Sequence, residues 1–121
     1  MILADTSVWI RHFRIGFPEF EKALRQGTIA MHPVVLGELA TGNLSRRAST
    51  LVMLRQLPQA TAGTSDECLT FIEAQKLYGL GIGWSDVQLL VAARLSGFAL
   101  WSLDTRLHAA ALQMGTAHVT T

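Results

Sequence analysis

A single cysteine, Cys68, stands in the 121-residue chain. It cannot form an intrachain disulfide and has no second thiol for a zinc site, so the role expected for it is that of a small buried apolar residue. No stretch reaches the roughly 18 consecutive apolar residues that span a bilayer. The first ten residues carry Asp5 where a secretory leader would be basic and then apolar. A soluble, cytoplasmic protein with no membrane contact is the expectation. An excess of charge of one sign is also missing: the formal net charge is +1, so no global basic field advertises nucleic acid, and any such contact falls to local arginines. His12, His32, His108 and His118 show neither HExxH nor a paired metal spacing, Ser7 lacks a recognisable histidine partner, and there is no GxxxxGK phosphate loop. Zinc hydrolysis, serine nucleophilic catalysis and P-loop chemistry therefore have no support. Repeats, linkers and low-complexity tracts are absent as well.

What is present is apolar. Half of the residues are hydrophobic and 16% are charged, the balance of a folded globule with a generous core or a partner-covered face. The length fits one domain over residues 1–121. Met1–Ala4 and Phe98–Leu103 are short apolar runs that read as buried parallel strands, each meeting an aspartate, Asp5 and Asp104. Thr28–Met31, Gln59–Ala62 and Ala117–Thr120 are weaker strand candidates. Helical spacing recurs between them: from Pro18 to before Gly27, over Val34–Ala40 after Pro33, over Leu44–Leu57, over Ser65–Leu77, and over Asp86–Ser96 with Ser85 as a cap and Gly97 as the stop. Strands alternating with helices predict an α/β sandwich with a parallel sheet covered on both faces.

Four of the nine acidic residues, Asp5, Glu38, Asp86 and Asp104, lie in or at the ends of apolar stretches, where an unpaired carboxylate is costly to desolvate. In parallel sheets ligands collect at the carboxyl ends of strands, which puts Asp5 and Asp104 on one edge. Glu38 and Asp86 join them if their helices start at that edge. Mutual repulsion then makes a divalent cation, magnesium or manganese, the simplest compensation. Each acid alone has a plainer explanation: Asp5 and Asp104 as helix caps, and Asp86 as a favourable charge in a first helical turn. Glu38, set among Val34, Val35, Leu36, Leu39 and Ala40, has none.

The order and surroundings of these acids carry a family resemblance. Met1-Ile2-Leu3-Ala4-Asp5-Thr6-Ser7-Val8-Trp9-Ile10 opens the chain, and Val35-Leu36-Gly37-Glu38-Leu39 follows with Gly42 after it. Gly81-Ile82-Gly83-Trp84-Ser85-Asp86 comes next with Leu89 and Leu90, and Leu100-Trp101-Ser102-Leu103-Asp104-Thr105-Arg106-Leu107 closes the set. Together these blocks resemble a PIN-domain ribonuclease of the VapC toxin type over nearly the whole chain. The resemblance implies a PIN-like three-layer α/β/α sandwich with a central, mostly parallel sheet. It also implies an endoribonuclease toxin that needs magnesium or manganese, cuts structured RNA such as transfer or ribosomal RNA, forms a homodimer, and is neutralised by a VapB-type antitoxin. Asp5, Glu38, Asp86 and Asp104 match the family's acidic set position by position; Ser102 stands where threonine is frequent, and Thr6 and Ser7 match the polar pair that helps order the site. Two departures, Gln88 for a small residue or histidine and Ser85 for an apolar one, leave the acidic set intact.

The chemistry is consistent with that resemblance. Carboxylate oxygens are the hard ligands magnesium prefers, and the ion keeps waters, so acids from distant segments hold it without a closed cage. Asp5 and Asp104 are the expected direct ligands, with Glu38 or Asp86 orienting the attacking water. Arg46, Arg47 and Arg106 are candidates for phosphate contact. Trp9, Trp84 and Trp101 are expected in the core in preference to stacking on bases. The competing reading from another class is a catalytically idle, magnesium-binding α/β regulatory or protein-binding module. It calls for a phosphate-relay lysine near the acids, whereas Lys22 and Lys76, the only two lysines, lie in helical segments expected to face solvent.

Overall fold

The computed structural model describes residues 1–120. Its centre is strand β1 (Ile2–Ala4), flanked in parallel by β2 (Ile29–Ala30) on one side and β3 (Ala99–Trp101) on the other. Leu3, Ala4 and Leu100 are fully buried, as expected of a parallel sheet packed on both faces. Of the weaker strand candidates, Thr28–Met31 forms β2, while the other two are reduced to single bridges: Gln59 pairs with Met31 and Ala117 with Leu100. Both continue the sheet outward by one rung, with Met31 donating to the Pro58 carbonyl at 2.7 Å and His118 to the Leu100 carbonyl at 2.8 Å. A segment at a sheet edge has neighbours on one side alone and needs no long ladder.

Among the described residues, seven helices surround the sheet: α1 (Thr6–Ile15), α2 (Pro18–Arg25), α3 (Pro33–Ala40), α4 (Arg47–Gln56), α5 (Ser65–Gln75), α6 (Trp84–Ser96) and α7 (Thr105–Met114). The result is an α/β sandwich in which α1 packs on β1, and α6 and α7 on β3. α6 is the core helix that its composition predicts: Val87, Leu89, Leu90, Val91, Ala92 and Ala93 are all buried. It stops at Gly97, whose φ of 70° suits a residue without a Cβ. None of these helices is long and apolar enough to cross a membrane.

Several element boundaries differ from the expectation. α4 begins at Arg47, not Leu44, because Arg46 adopts a left-handed conformation (φ 49°) that breaks the turn before it. α5 is capped by Thr64 instead of Ser65, through a reciprocal pair with Glu67 at 2.9 and 3.1 Å. α6 starts one residue before Ser85 and uses Gly83 as its cap position. β3 ends at Trp101, short of the expected Leu103, and the Ser102 hydroxyl that follows it turns into the site described next. Trp9 and Trp101 are buried, but Trp84 is 46% exposed at the start of α6, contrary to the core packing expected for it.

The chain runs from β1 to β2 on one side and returns to β3 on the other, so the order reverses at β1. A crevice opens beyond the carboxyl ends of such strands. Asp5 follows β1 directly, and its amide donates to the Trp101 carbonyl at 2.9 Å, which ties the ends of β1 and β3 together.

Candidate active site

Asp5 is the innermost acid, 6% exposed. It caps α1, with one carboxylate oxygen, Oδ1, accepting from the Val8 amide at 3.3 Å and from the Ser7 hydroxyl at 2.5 Å. The other oxygen, Oδ2, accepts from the Ser102 hydroxyl at 2.5 Å, across 97 residues of sequence. Burial pushes the Asp5 carboxyl above its ordinary range, and the hydrogen bonds from Ser102, Ser7 and the Val8 amide pull it back only in part. A buried carboxylate held in this way gains from any positive charge brought beside it.

The same two hydroxyls connect Asp5 to the second acid. Ser102 Oγ accepts from the Asp104 amide at 3.0 Å, and Ser7 Oγ accepts from the Leu103 amide at 3.0 Å. Asp104 is exposed and caps α7 through Oδ1, which takes the Arg106 and Leu107 amides at 2.9 and 3.0 Å. The Asp104 backbone therefore lies one hydroxyl from the Asp5 carboxylate. The capping role foreseen for each is real and coexists with that placement.

Glu38 reaches this rim from α3. It is exposed and accepts from the Thr6 hydroxyl at 3.2 Å, so the residue after Asp5 is the link. It also borders a small groove of about 140 Å³ with Ile10, Phe13 and Arg14 of α1 and Leu39 and Leu44. The direction of α3 is set at its start, where the buried His32 caps it, Nδ1 accepting from the Val34 amide at 3.0 Å. Burial lowers the His32 pKa below the ordinary imidazole value, consistent with an accepting, unprotonated Nδ1.

Asp86 is half-buried in the first turn of α6 and accepts from the Gly83 amide at 3.1 Å. No side chain joins it directly to the other three. Its approach is through the preceding loop, where Gly81 lies against the Arg106 side chain of α7. Among the described residues, no three His, Cys, Asp or Glu side chains are close enough to form a ready-made metal cage. Magnesium does not require one: it is held by one or two carboxylates and keeps its waters. The donor set suits it, since Asp5 receives three donors against about four lone-pair positions, and Asp104 uses Oδ1 alone.

The arginine candidates separate. Arg47 is committed to the end of α3, where its guanidinium donates to the Ala40 and Gly42 carbonyls at 2.5 and 3.2 Å. Arg46 is exposed at the left-handed cap position of α4. Arg106 stays beside the acids. Neither the His32 cap nor the Arg47 clasp was foreseen from the sequence. The first has a signal, a polar residue directly before a helix-starting proline, whereas the second depends on a loop conformation that no local pattern announces.

The family model described as "PIN domain" matches residues 2–112. Ribonuclease VapC32 of Mycobacterium tuberculosis is 40% identical over 118 residues, covering 97% of this chain and 95% of the relative, and the match is the same in two strains. In fold, the chain resembles the crystal structure of PAE2754 from Pyrobaculum aerophilum with a TM-score of 0.63 at 16% identity, covering 90% of this chain and 83% of the other.

Proposed function

We propose that this chain, which belongs to the PIN-domain family and within it to the VapC-type toxins, is a magnesium- or manganese-dependent endoribonuclease. Its substrate is structured RNA, transfer or ribosomal. It acts in the cytoplasm as a single domain over residues 1–121, as a homodimer, and a VapB-type antitoxin holds it inactive. The observation that carries the reading is the bridge from Asp5 through the Ser102 hydroxyl to the Asp104 backbone, at the carboxyl ends of the two strands flanking the chain reversal. The 40% identity to a protein named as a ribonuclease supports the class of reaction.

In this reading Asp5 and Asp104 hold the cation. Glu38 and Asp86 stand at the periphery, where a carboxylate orients water toward phosphorus. Thr6 steadies Glu38, while the hydrogen bonds from Ser7 and Ser102 favour the charged form of Asp5 against its burial and aim it. When bound, the cation neutralises charge on the phosphate and acidifies water. Arg46, Arg47 and Arg106 are the candidate phosphate contacts, with Arg47 the weakest because its donors are already engaged. The idle regulatory module finds no support in the lysines, since Lys22 and Lys76 are exposed, on α2 and at the end of α5.

The test is RNA end mapping after induction of the chain without its antitoxin, paired with cleavage by the purified protein. Discrete cuts are expected, abolished by EDTA and by Asp5→Asn or Asp86→Asn with the fold retained. Equal cleavage in excess EDTA contradicts the metal mechanism.

A further inference from the structure

Resting on the nuclease reading above, we infer that Arg106 grips an RNA backbone phosphate at the rim of the acidic site, and that the bare face of Gly81 is the seat that aims it. Arg106 lies in the first turn of α7, its amide bound to Asp104. A Cβ built on Gly81 would fall 2.6 Å from Arg106 Nη1, 2.9 Å from Cδ and 3.1 Å from Cζ. The arginine therefore occupies the space that any other residue at position 81 would fill. Gly81 also has a φ of +76°, which most side chains disfavour. The loop it shapes ends at Gly83, whose amide binds Asp86. The Arg106 side chain thus spans from the helix of Asp104 to the loop of Asp86.

The guanidinium is exposed and unspent. Among the described residues the one ion pair is Arg25 with Glu21, and the Arg106 side chain makes no hydrogen bond. Its stem lies against the open face of Gly81, and its five N–H donors are free. A planar donor fork beside a cation site matches the two non-bridging oxygens of a phosphodiester. Arg47, by contrast, is tied to the α3 carbonyls.

The experiment is steady-state RNA cleavage in magnesium over a range of salt, with Arg106→Gln, Arg106→Lys, Gly81→Asn and the double variant Gly81→Asn/Arg106→Gln, each checked by thermal melting. Arg106→Gln is expected to raise KM about tenfold with kcat nearly unchanged, and to flatten the salt dependence of binding by roughly 0.7 to 1 in log–log slope. Arg106→Lys restores the slope but not the full affinity. Asparagine tolerates positive φ better than most residues, so Gly81→Asn is expected to mimic Arg106→Gln, and the double variant to be no worse than either single. A native KM and salt slope in Arg106→Gln overturns the phosphate contact, and additive losses in the double variant overturn the seat. If Gly81→Asn does not fold, the two Arg106 variants decide. A native chain that cuts no RNA removes the nuclease reading together with this one, whereas normal native cleavage with an unchanged Arg106→Gln removes this one alone.

Discussion

Ser102 is the residue on which the site's geometry turns, because one hydroxyl serves two acids: it donates to Asp5 and accepts from the Asp104 amide. Ser102→Ala leaves a buried carboxylate oxygen and a backbone amide without their partner. A destabilisation of about 1–3 kcal/mol is expected in denaturant unfolding, with a larger loss of cleavage than of stability. Ser102→Thr keeps the hydroxyl and is expected to restore both; a threonine variant as damaged as alanine would show that side-chain volume, not the hydroxyl, is what matters there. At this scale the sequence was informative about which acids to watch, since Asp5 ends an apolar run and Glu38 interrupts one. It was silent about division of labour. The choice between cap and site for Asp5 dissolves in three dimensions: Oδ1 takes the helix amide and the Ser7 hydroxyl, while Oδ2 takes the hydroxyl delivered by β3. Ser102 stood out in sequence only through the family resemblance, because a serine after a strand has no local signature.

The helix that carries Glu38 depends on an unprotonated imidazole. His32 Nδ1 accepts from the Val34 amide at the start of α3, and burial lowers the His32 pKa in the folded chain. The folded value therefore lies below the unfolded one, near about 6.5. The cap's contribution is present above the unfolded value and is lost as pH falls through the folded one. The denaturation midpoint of the native chain is expected to fall between about pH 7 and pH 5 by more than that of His32→Asn, which keeps an accepting oxygen at the cap without titrating in that range. Parallel curves would show that the cap carries no pH dependence. Helix cores were readable from their periodicity, α6 above all. Their starts were less so: Arg46 entered a left-handed turn, and a Thr64–Glu67 pair outcompeted the neighbouring Ser65. The outer strand candidates shrank to bridges because a parallel sheet edge is held by one neighbour, and local composition does not encode how many rungs it keeps.

For the molecule as a whole, the parallel order with β1 at the centre puts Asp5 and Asp104 past the carboxyl ends of neighbouring strands, while Glu38 and Asp86 come from α3 and α6. Hydrogen bonds join three of them: Asp5 to Asp104 through Ser102, and Glu38 through Thr6, the residue next to Asp5. Asp86 is approached through the Gly81 loop and Arg106. Alternation of strand and helix foretold the sandwich; the bridge from Asp5 to the Asp104 backbone required the topology as well, because the reversal of strand order at β1 depends on crossovers that no local pattern specifies. The proposed nuclease chemistry requires a divalent cation held by Asp5 and Asp104. Anomalous diffraction from crystals of the native chain and of Asp5→Asn, both soaked in manganese, addresses it directly. The expected result is a peak between the Asp5 and Asp104 carboxylates of the native chain that is lost in the variant. A peak elsewhere, or one that persists undiminished in Asp5→Asn, would contradict the claim.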